Sequence, residues 1–213
     1  MKIENNNTPK RIFITGIGTE VGKTITSAIV VEALQADYFK PIQAGDLAYG
    51  DADKVKTLVS NTKSVFHPNS YALRTPMSPH AAAEKEGITI DSKNIVFPNT
   101  KNALVAEGAG GILVPLNDTQ TILDIIPKEY TVIVVSRHYL GSINHTLMTL
   151  KLLEEQGFEV ALIFSGAAHP TTENIIEKMS KVNVLGRIDE EPYFDKRVIE
   201  EYAEQFKNKL EAL

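Results

Sequence analysis

Ile14-Thr15-Gly16-Ile17-Gly18-Thr19-Glu20-Val21-Gly22-Lys23-Thr24 is the stretch on which the reading of this chain turns. The apolar run Arg11 to Thr15 leads into it and reads as a buried strand. Lys23 to Ala36 follows and reads as a helix, with Ala28, Val31 and Leu34 near helical spacing. A glycine-rich turn between a strand and a helix is the setting a phosphate-binding loop needs. Gly16, Gly18 and Gly22 let the backbone turn its N–H groups inward around an anion, and the helix start adds the positive end of its dipole. Lys23 can reach β- and γ-phosphates, and Thr24 can offer its hydroxyl to Mg²⁺. Five residues separate Gly16 from the Gly-Lys-Thr triplet where the usual pattern has four, so the loop is a variant.

Outward from the loop, short β-branched runs alternate with helical patterns. Strands are expected at Asp37 to Ile42, Ala103 to Ala106, Thr131 to Val135, Val160 to Phe164 and Val182 to Leu185. Helices are expected at Asp53 to Val59, Ile143 to Gln156 and Val198 to Leu213, and the proline-bearing Val65 to Pro79 reads as a loop excursion. The alternation predicts an α/β fold of the P-loop NTPase type: one doubly wound, mostly parallel sheet with helices on both faces. The chain is read as one domain over residues 1–213, with residues 1–10 flexible.

Composition narrows the chemistry. A formal net charge of −5 argues against a general nucleic-acid binder. The absence of cysteine removes disulfides, thiolate catalysis and cysteine metal sites. No apolar stretch reaches the roughly 18 residues of a membrane span, and the polar N-terminus is unlike a signal peptide, so a cytoplasmic protein is expected. The histidines show no zinc-ligand spacing.

Three further positions could carry chemistry at the carboxyl ends of neighbouring strands. Lys40, in Phe39-Lys40-Pro41-Ile42-Gln43-Ala44-Gly45, is costly to bury without an anion such as a phosphate or carbamate. Glu107 ends a strand before Gly108-Ala109-Gly110-Gly111 and can hold Mg²⁺ opposite Thr24. Asp51 and Asp53 open a helix; either could cap it, and one could complete a metal site.

Taken together, five ordered blocks resemble the dethiobiotin synthetase family. They are Thr15 to Thr24, Lys40 to Gly45, Ser78-Pro79-His80, Glu107 to Gly111, and Leu140-Gly141-Ser142-Ile143-Asn144-His145. The extra loop residue is itself a trait of that family. The resemblance implies a homodimer that takes 7,8-diaminononanoate, carbon dioxide and ATP with Mg²⁺ and forms dethiobiotin through a carbamate and a carbamic–phosphoric mixed anhydride. It implies Thr24, Asp53 and Glu107 as metal ligands, with Asp53 preferred over Asp51. It implies Lys40, Lys23 and Thr19 as catalytic, and Gly18 to Thr24 with Gly166 as the nucleotide site. Thr19, Lys40, Ala44, Pro79 and Gly110 would line the substrate. Leu140, Gly141, Ser142, Ile143 and Asn144 would reach the substrate of the partner subunit. On these roles, Lys23→Ala and Glu107→Ala are expected to fold normally and lose most turnover.

The chain departs from that family at three positions. Ala44 stands where many members have Ser, Gly166 where many have a base-reading Asn, and Tyr139 where some have Lys. The Gly166 substitution implies relaxed nucleotide choice. Among rival readings, a dimeric regulatory P-loop ATPase switch generally carries Lys early in the loop, and here no Lys or Arg lies between Thr15 and Gly22. A glutaminase-bearing synthetase would need a cysteine, and a small-molecule kinase would lack the glycine run after Glu107.

Overall fold

The structure, a computed structural model, describes residues 9–213. The flexibility expected for residues 1–10 falls almost wholly outside the described residues. Strand β1 (Arg11–Gly16) leads through the phosphate loop into helix α1 (Lys23–Leu34), and β2 (Asp37–Phe39) follows. After these come β3 (Ile42–Ala44), α2 (Asp51–Leu58), β4 (Phe66–His67), β5 (Tyr71–Leu73) and α3 (Pro79–Lys85). The second half holds β6 (Leu104–Gly111), β7 (Thr131–Arg137), α4 (Ser142–Glu155), β8 (Val160–Ser165), α5 (Pro170–Ser180), β9 (Asn183–Ile188) and α6 (Lys196–Glu211).

Seven strands form one sheet in the order β4-β2-β6-β1-β7-β8-β9, and every neighbouring pair is parallel. β1 lies near the centre, with β6 on one side and β7 on the other. The chain leaves β1 toward β2 and later returns to build outward through β7. That reversal opens a crevice at the carboxyl end of β1, where the phosphate loop sits.

Period-2 alternation sends apolar side chains to both faces, which explains the near-continuous hydrophobic strands. Ile12, Ile14, Val105 and Ile133 face one core with Ala28 and Ile29 of α1 and Ile199 and Phe206 of α6. Phe13, Ala106, Val132 and Leu162 face the other, with Leu150 and Leu153 of α4 and Ile176 of α5. Val198, Ile199, Tyr202, Ala203, Phe206 and Leu210 form the apolar stripe of α6, which packs along α1.

Two sequence expectations change. The single strand expected over Asp37 to Ile42 is broken, because Pro41 has no N–H for a central ladder. β2 stays in the main sheet, whereas β3 pairs with β5 in a separate two-stranded parallel sheet. The excursion from Val65 to Pro79 accordingly contains both β5 and the edge strand β4. Helices α3 and α5 were not expected; each begins with proline at its first turn, where the missing N–H costs nothing.

Candidate active site

The phosphate loop is shaped by what its glycines exclude. Gly22 takes φ +98°, and a Cβ there would stand 2.7 Å from Ser165 Oγ. A Cβ on Gly16 would stand 2.5 Å from Val21 Cγ2, and buried Val21 props the loop from beneath. Glu20, although not glycine, is held at φ 58°, a strained conformation that the surrounding turn enforces. Helix α1 has no side-chain cap and no acidic residue in its first turn, so its N–H groups are left for a ligand. That arrangement fits a triphosphate. Thr19 and Glu20 are exposed on the loop's outer side, and Gly18 is half-buried. Thr19 Oγ1 lies 3.7 Å from where a Gly110 Cβ would be, so Thr19 and Gly110 face each other across the mouth.

Beside the loop is a buried cluster centred on Glu107, whose side chain is 1% exposed. Oε1 of Glu107 accepts from Thr24 Oγ1 at 3.1 Å and Lys40 Nζ at 3.0 Å. Its Oε2 accepts from Ser27 Oγ at 2.7 Å and Tyr38 OH at 2.9 Å. Lys40 Nζ also donates to the Gly108 carbonyl at 2.9 Å and pairs with Asp51 Oδ2 at 2.8 Å. Three elements aim these groups: α1 carries Thr24 and Ser27, β2 and the residue after it carry Tyr38 and Lys40, and α2 carries Asp51.

The two lysines are shifted in opposite directions. Burial works against the charge of Lys40, but the Glu107 and Asp51 carboxylates outweigh it and raise its pKa. Lys23 is driven down from 10.5 to about 8, mainly by burial and further by Lys40, against the pull of Glu107 and Asp51. Its Nζ folds back to donate to the Gly18 carbonyl at 2.8 Å. Burial resists ionisation of Asp51, yet Lys40 and Lys54 bring its pKa below the usual value. Burial, then the Glu107 charge, push Tyr38 far above its ordinary range, so it remains a donor.

Of the two aspartates at the start of α2, Asp53 was preferred from sequence, but the carboxylate in the cluster belongs to Asp51. Asp53 is exposed, and its Oδ2 accepts from the Gly50 N–H at 2.9 Å, which caps α2. Ser27 and Tyr38 lie outside the five sequence blocks and are separate contributors to the site. Helical spacing puts Ser27 three residues after Thr24, and strand alternation puts Tyr38 two residues before Lys40. Those spacings were the available signal.

The remaining expected positions lie around the carboxyl edge of the sheet. Ala44 ends β3, and buried Pro79 starts α3. Gly141 takes φ +103° at the start of α4; Leu140, Ile143 and Asn144 are exposed, and Ser142 is buried. Among the described residues these make no hydrogen bond to the Glu107 cluster. Tyr139 OH meets His145 Nδ1 at 2.8 Å. Gly166 is buried at φ +93°, with the Arg137 side chain about 4 Å from where its Cβ would be. Through Ser165 it adjoins Gly22, on the side of the loop away from Lys40.

Thr24 Oγ1, Glu107 Oε1 and Asp51 Oδ2 are hard oxygen donors, suited to Mg²⁺. Among the described residues there is no group of three His, Cys, Asp or Glu that could enclose a metal by itself. A donor set of this kind fits an ion that arrives with phosphate oxygens.

The model of a family described as AAA domain matches residues 10–197. The chain is similar to the ATP-dependent dethiobiotin synthetase BioD of Christiangramia forsetii, 62% identical over 203 residues, which span 95% of this chain and 98% of that one. It is 46% identical over 197 residues to the ATP-dependent dethiobiotin synthetase BioD of Cytophaga hutchinsonii, spanning 91% and 95% of the two. Among solved structures, the cell division ATPase MinD of Pyrococcus furiosus matches with a TM-score of 0.62 at 12% identity, over 93% of this chain and 99% of that one. A plasmid partition protein from Borrelia burgdorferi matches with a TM-score of 0.58 at 14% identity, over 97% and 100%. Those two share the fold alone. Near-complete coverage at 62% identity is a different order of likeness, and by it the chain belongs to the dethiobiotin synthetase family.

Proposed function

We propose that this enzyme performs the ATP-dependent formation of dethiobiotin in biotin biosynthesis, and that the Glu107–Lys40 cluster beside the phosphate loop is its reaction centre. The observation that carries the reading is the convergence of Thr24, Lys40, Asp51 and Glu107 within 3.1 Å contacts at the open end of the loop. The diamine 7,8-diaminononanoate takes up carbon dioxide on one amine as a carbamate. A carbamate oxygen attacks the γ-phosphorus, ADP leaves, and a carbamic–phosphoric anhydride remains. The second amine attacks the carbonyl carbon, the C–O bond to phosphate breaks, and the ureido ring closes.

Little covalent chemistry falls to the protein in phosphoryl transfer; it positions groups and offsets charge. Lys23 would turn from the Gly18 carbonyl to the β- and γ-phosphates. Lys40 would stand by the carbamate and the transferring phosphoryl group, where a fixed ammonium offsets developing negative charge. Thr19 would border the substrate with Gly110, Ala44 and Pro79. Thr24, Glu107 and Asp51 would hold Mg²⁺, whose charge neutralises the phosphate oxygens when bound.

Phosphate release should require the diamine when ATP, Mg²⁺ and bicarbonate are present, with dethiobiotin detected by mass. Hydrolysis indifferent to the diamine would overturn the assignment and favour a regulatory ATPase. Repeating the initial rates with GTP and CTP tests the relaxed base choice implied by Gly166; a strong preference for ATP would remove it.

Asp51 and Asp53 can be separated. Asp51→Asn should raise the Mg²⁺ concentration needed for half-maximal rate about tenfold or more. Asp53→Asn should leave that concentration unchanged and cost about 1 kcal/mol of stability or less through the weakened cap. The reverse pattern in a Mg²⁺ titration would return the metal role to Asp53.

A homodimer, with Leu140 to Asn144 reaching the partner's substrate, is supported by the exposure of Leu140, Ile143 and Met148 around and along α4. Among the described residues no helix is long and apolar enough to cross a membrane.

A further inference from the structure

The two oxygens of Glu107 are used differently. Oε1 faces Thr24 and Lys40 at the phosphate loop. Oε2 faces away, toward Ser27 at 2.7 Å and Tyr38 at 2.9 Å. Both of these hydroxyl-bearing residues are 0% exposed. A carboxylate oxygen has about two good acceptor sites, so these two donors satisfy Oε2. They also come from separate elements, Ser27 from the middle of α1 and Tyr38 from the middle of β2. Tyr38 is itself fixed, its ring tilted against Phe66 at a centroid distance of 5.8 Å.

We propose that Ser27 and Tyr38 are positioning residues that lock the Glu107 carboxylate by Oε2, so that Oε1 alone is presented to the metal. The inference rests on Glu107 being a metal ligand. Both hydroxyls are buried and donate to Glu107 Oε2, so a role in the reaction would pass through Glu107. Both donors are neutral, so they orient the carboxylate without cancelling the charge that attracts a cation. Lys40 could orient it too, but an ammonium competes with the metal for Oε1. With Oε2 unpinned, the carboxylate would be free to rotate toward Lys40 and share both oxygens with it. Ligand-orienting partners of this kind typically contribute 10–100-fold to metal affinity.

The test uses Tyr38→Phe, Ser27→Ala and the double variant, each removing one oxygen and little volume. Mn²⁺ binding in the presence of ADP is followed by electron paramagnetic resonance, without the diamine. Circular dichroism melts check the fold, and ADP affinity is measured in excess chelator. Each single variant should weaken Mn²⁺ about tenfold and the double variant about a hundredfold, with metal-free ADP affinity unchanged. Wild-type Mn²⁺ affinity in a folded double variant overturns the proposal. So does a loss of ADP affinity equal to the loss of Mn²⁺ affinity, which would mark a merely structural role. Glu107→Gln serves as reference. If it binds Mn²⁺ as wild type, the metal role of Glu107 fails; if it alone loses Mn²⁺, only the positioning role fails.

Discussion

Glu107→Ala is expected to lose most turnover and to destabilise the protein in the same stroke. The carboxylate is 1% exposed and accepts from four donors. Its removal leaves the Ser27 and Tyr38 hydroxyls without an acceptor and Lys40 with Asp51 as its one remaining carboxylate. Breaking a buried ion pair from one side costs about 3–5 kcal/mol, a large part of the 5–15 kcal/mol that holds a typical domain together. Normal folding, expected from sequence, therefore does not fit the burial of this residue. Turnover should fall by roughly 10²–10³-fold or more, because the cation that offsets charge at the phosphates would lose a ligand. Glu107→Gln keeps the volume and one acceptor, so its urea midpoint should lie above that of the alanine variant while its activity is as low. Wild-type rates in either variant would remove Glu107 from the reaction centre.

Lys23→Ala should show the opposite combination, a dead enzyme with an undamaged fold. Lys23 is 8% exposed and its pKa is lowered to about 8, first by burial. The unfolded chain holds that proton to about pH 10.5, so folding with a charged Lys23 costs roughly 3 kcal/mol below pH 8. Between pH 8 and 10.5 the unfolded state binds more protons than the native state, and this cost is relieved as pH rises. The alanine variant never incurs it. At pH 7 it should melt no lower than wild type without nucleotide, and the difference between the two should move in favour of wild type by pH 10. Turnover should drop by about 10²–10³-fold, because a preorganised cation at the phosphates is lost. A lower melting point at pH 7 that stays constant to pH 10 would show that Lys23 is a packing residue and no store of strain.

The phosphate loop was legible because its signal is local. Three glycines, a lysine and a threonine between a strand and a helix leave few other readings. Lys40 was legible in part: a buried charge beside an apolar strand needs an anion, but the phosphate or carbamate expected from sequence gives way in the fold to Glu107 and Asp51. Glu107 does not end its strand as expected, because β6 runs on through the glycines to Gly111. Asp51 and Asp53 were harder. They are two residues apart on a helix, so their side chains point about 200° apart, and which one meets Lys40 depends on where the cap forms. The Gly50 N–H took Asp53, and that contact is invisible before the chain is folded. Tyr38 was hidden by its company, since an aromatic in Asp37-Tyr38-Phe39 reads as core. The main sheet was read correctly in its long central strands, where both faces demand apolar residues. It was missed at β4, two residues long, whose pairing with β2 depends on neighbours distant in sequence.

Lys40 sits among Glu107 Oε1, Asp51 Oδ2 and the Gly108 carbonyl, so the fold supplies its own cation to the oxygens that would otherwise wait for one. Small metal-dependent domains commonly make folding conditional on the ion, because the site is not formed in the unfolded chain and the binding free energy becomes folding free energy; like-charged carboxylates brought together without a cation add to that dependence. Here that repulsion is already quenched by a side chain. On the proposed metal role, the chain would not depend on magnesium to fold, and its nucleotide-free melting temperature should be the same in magnesium as in chelator.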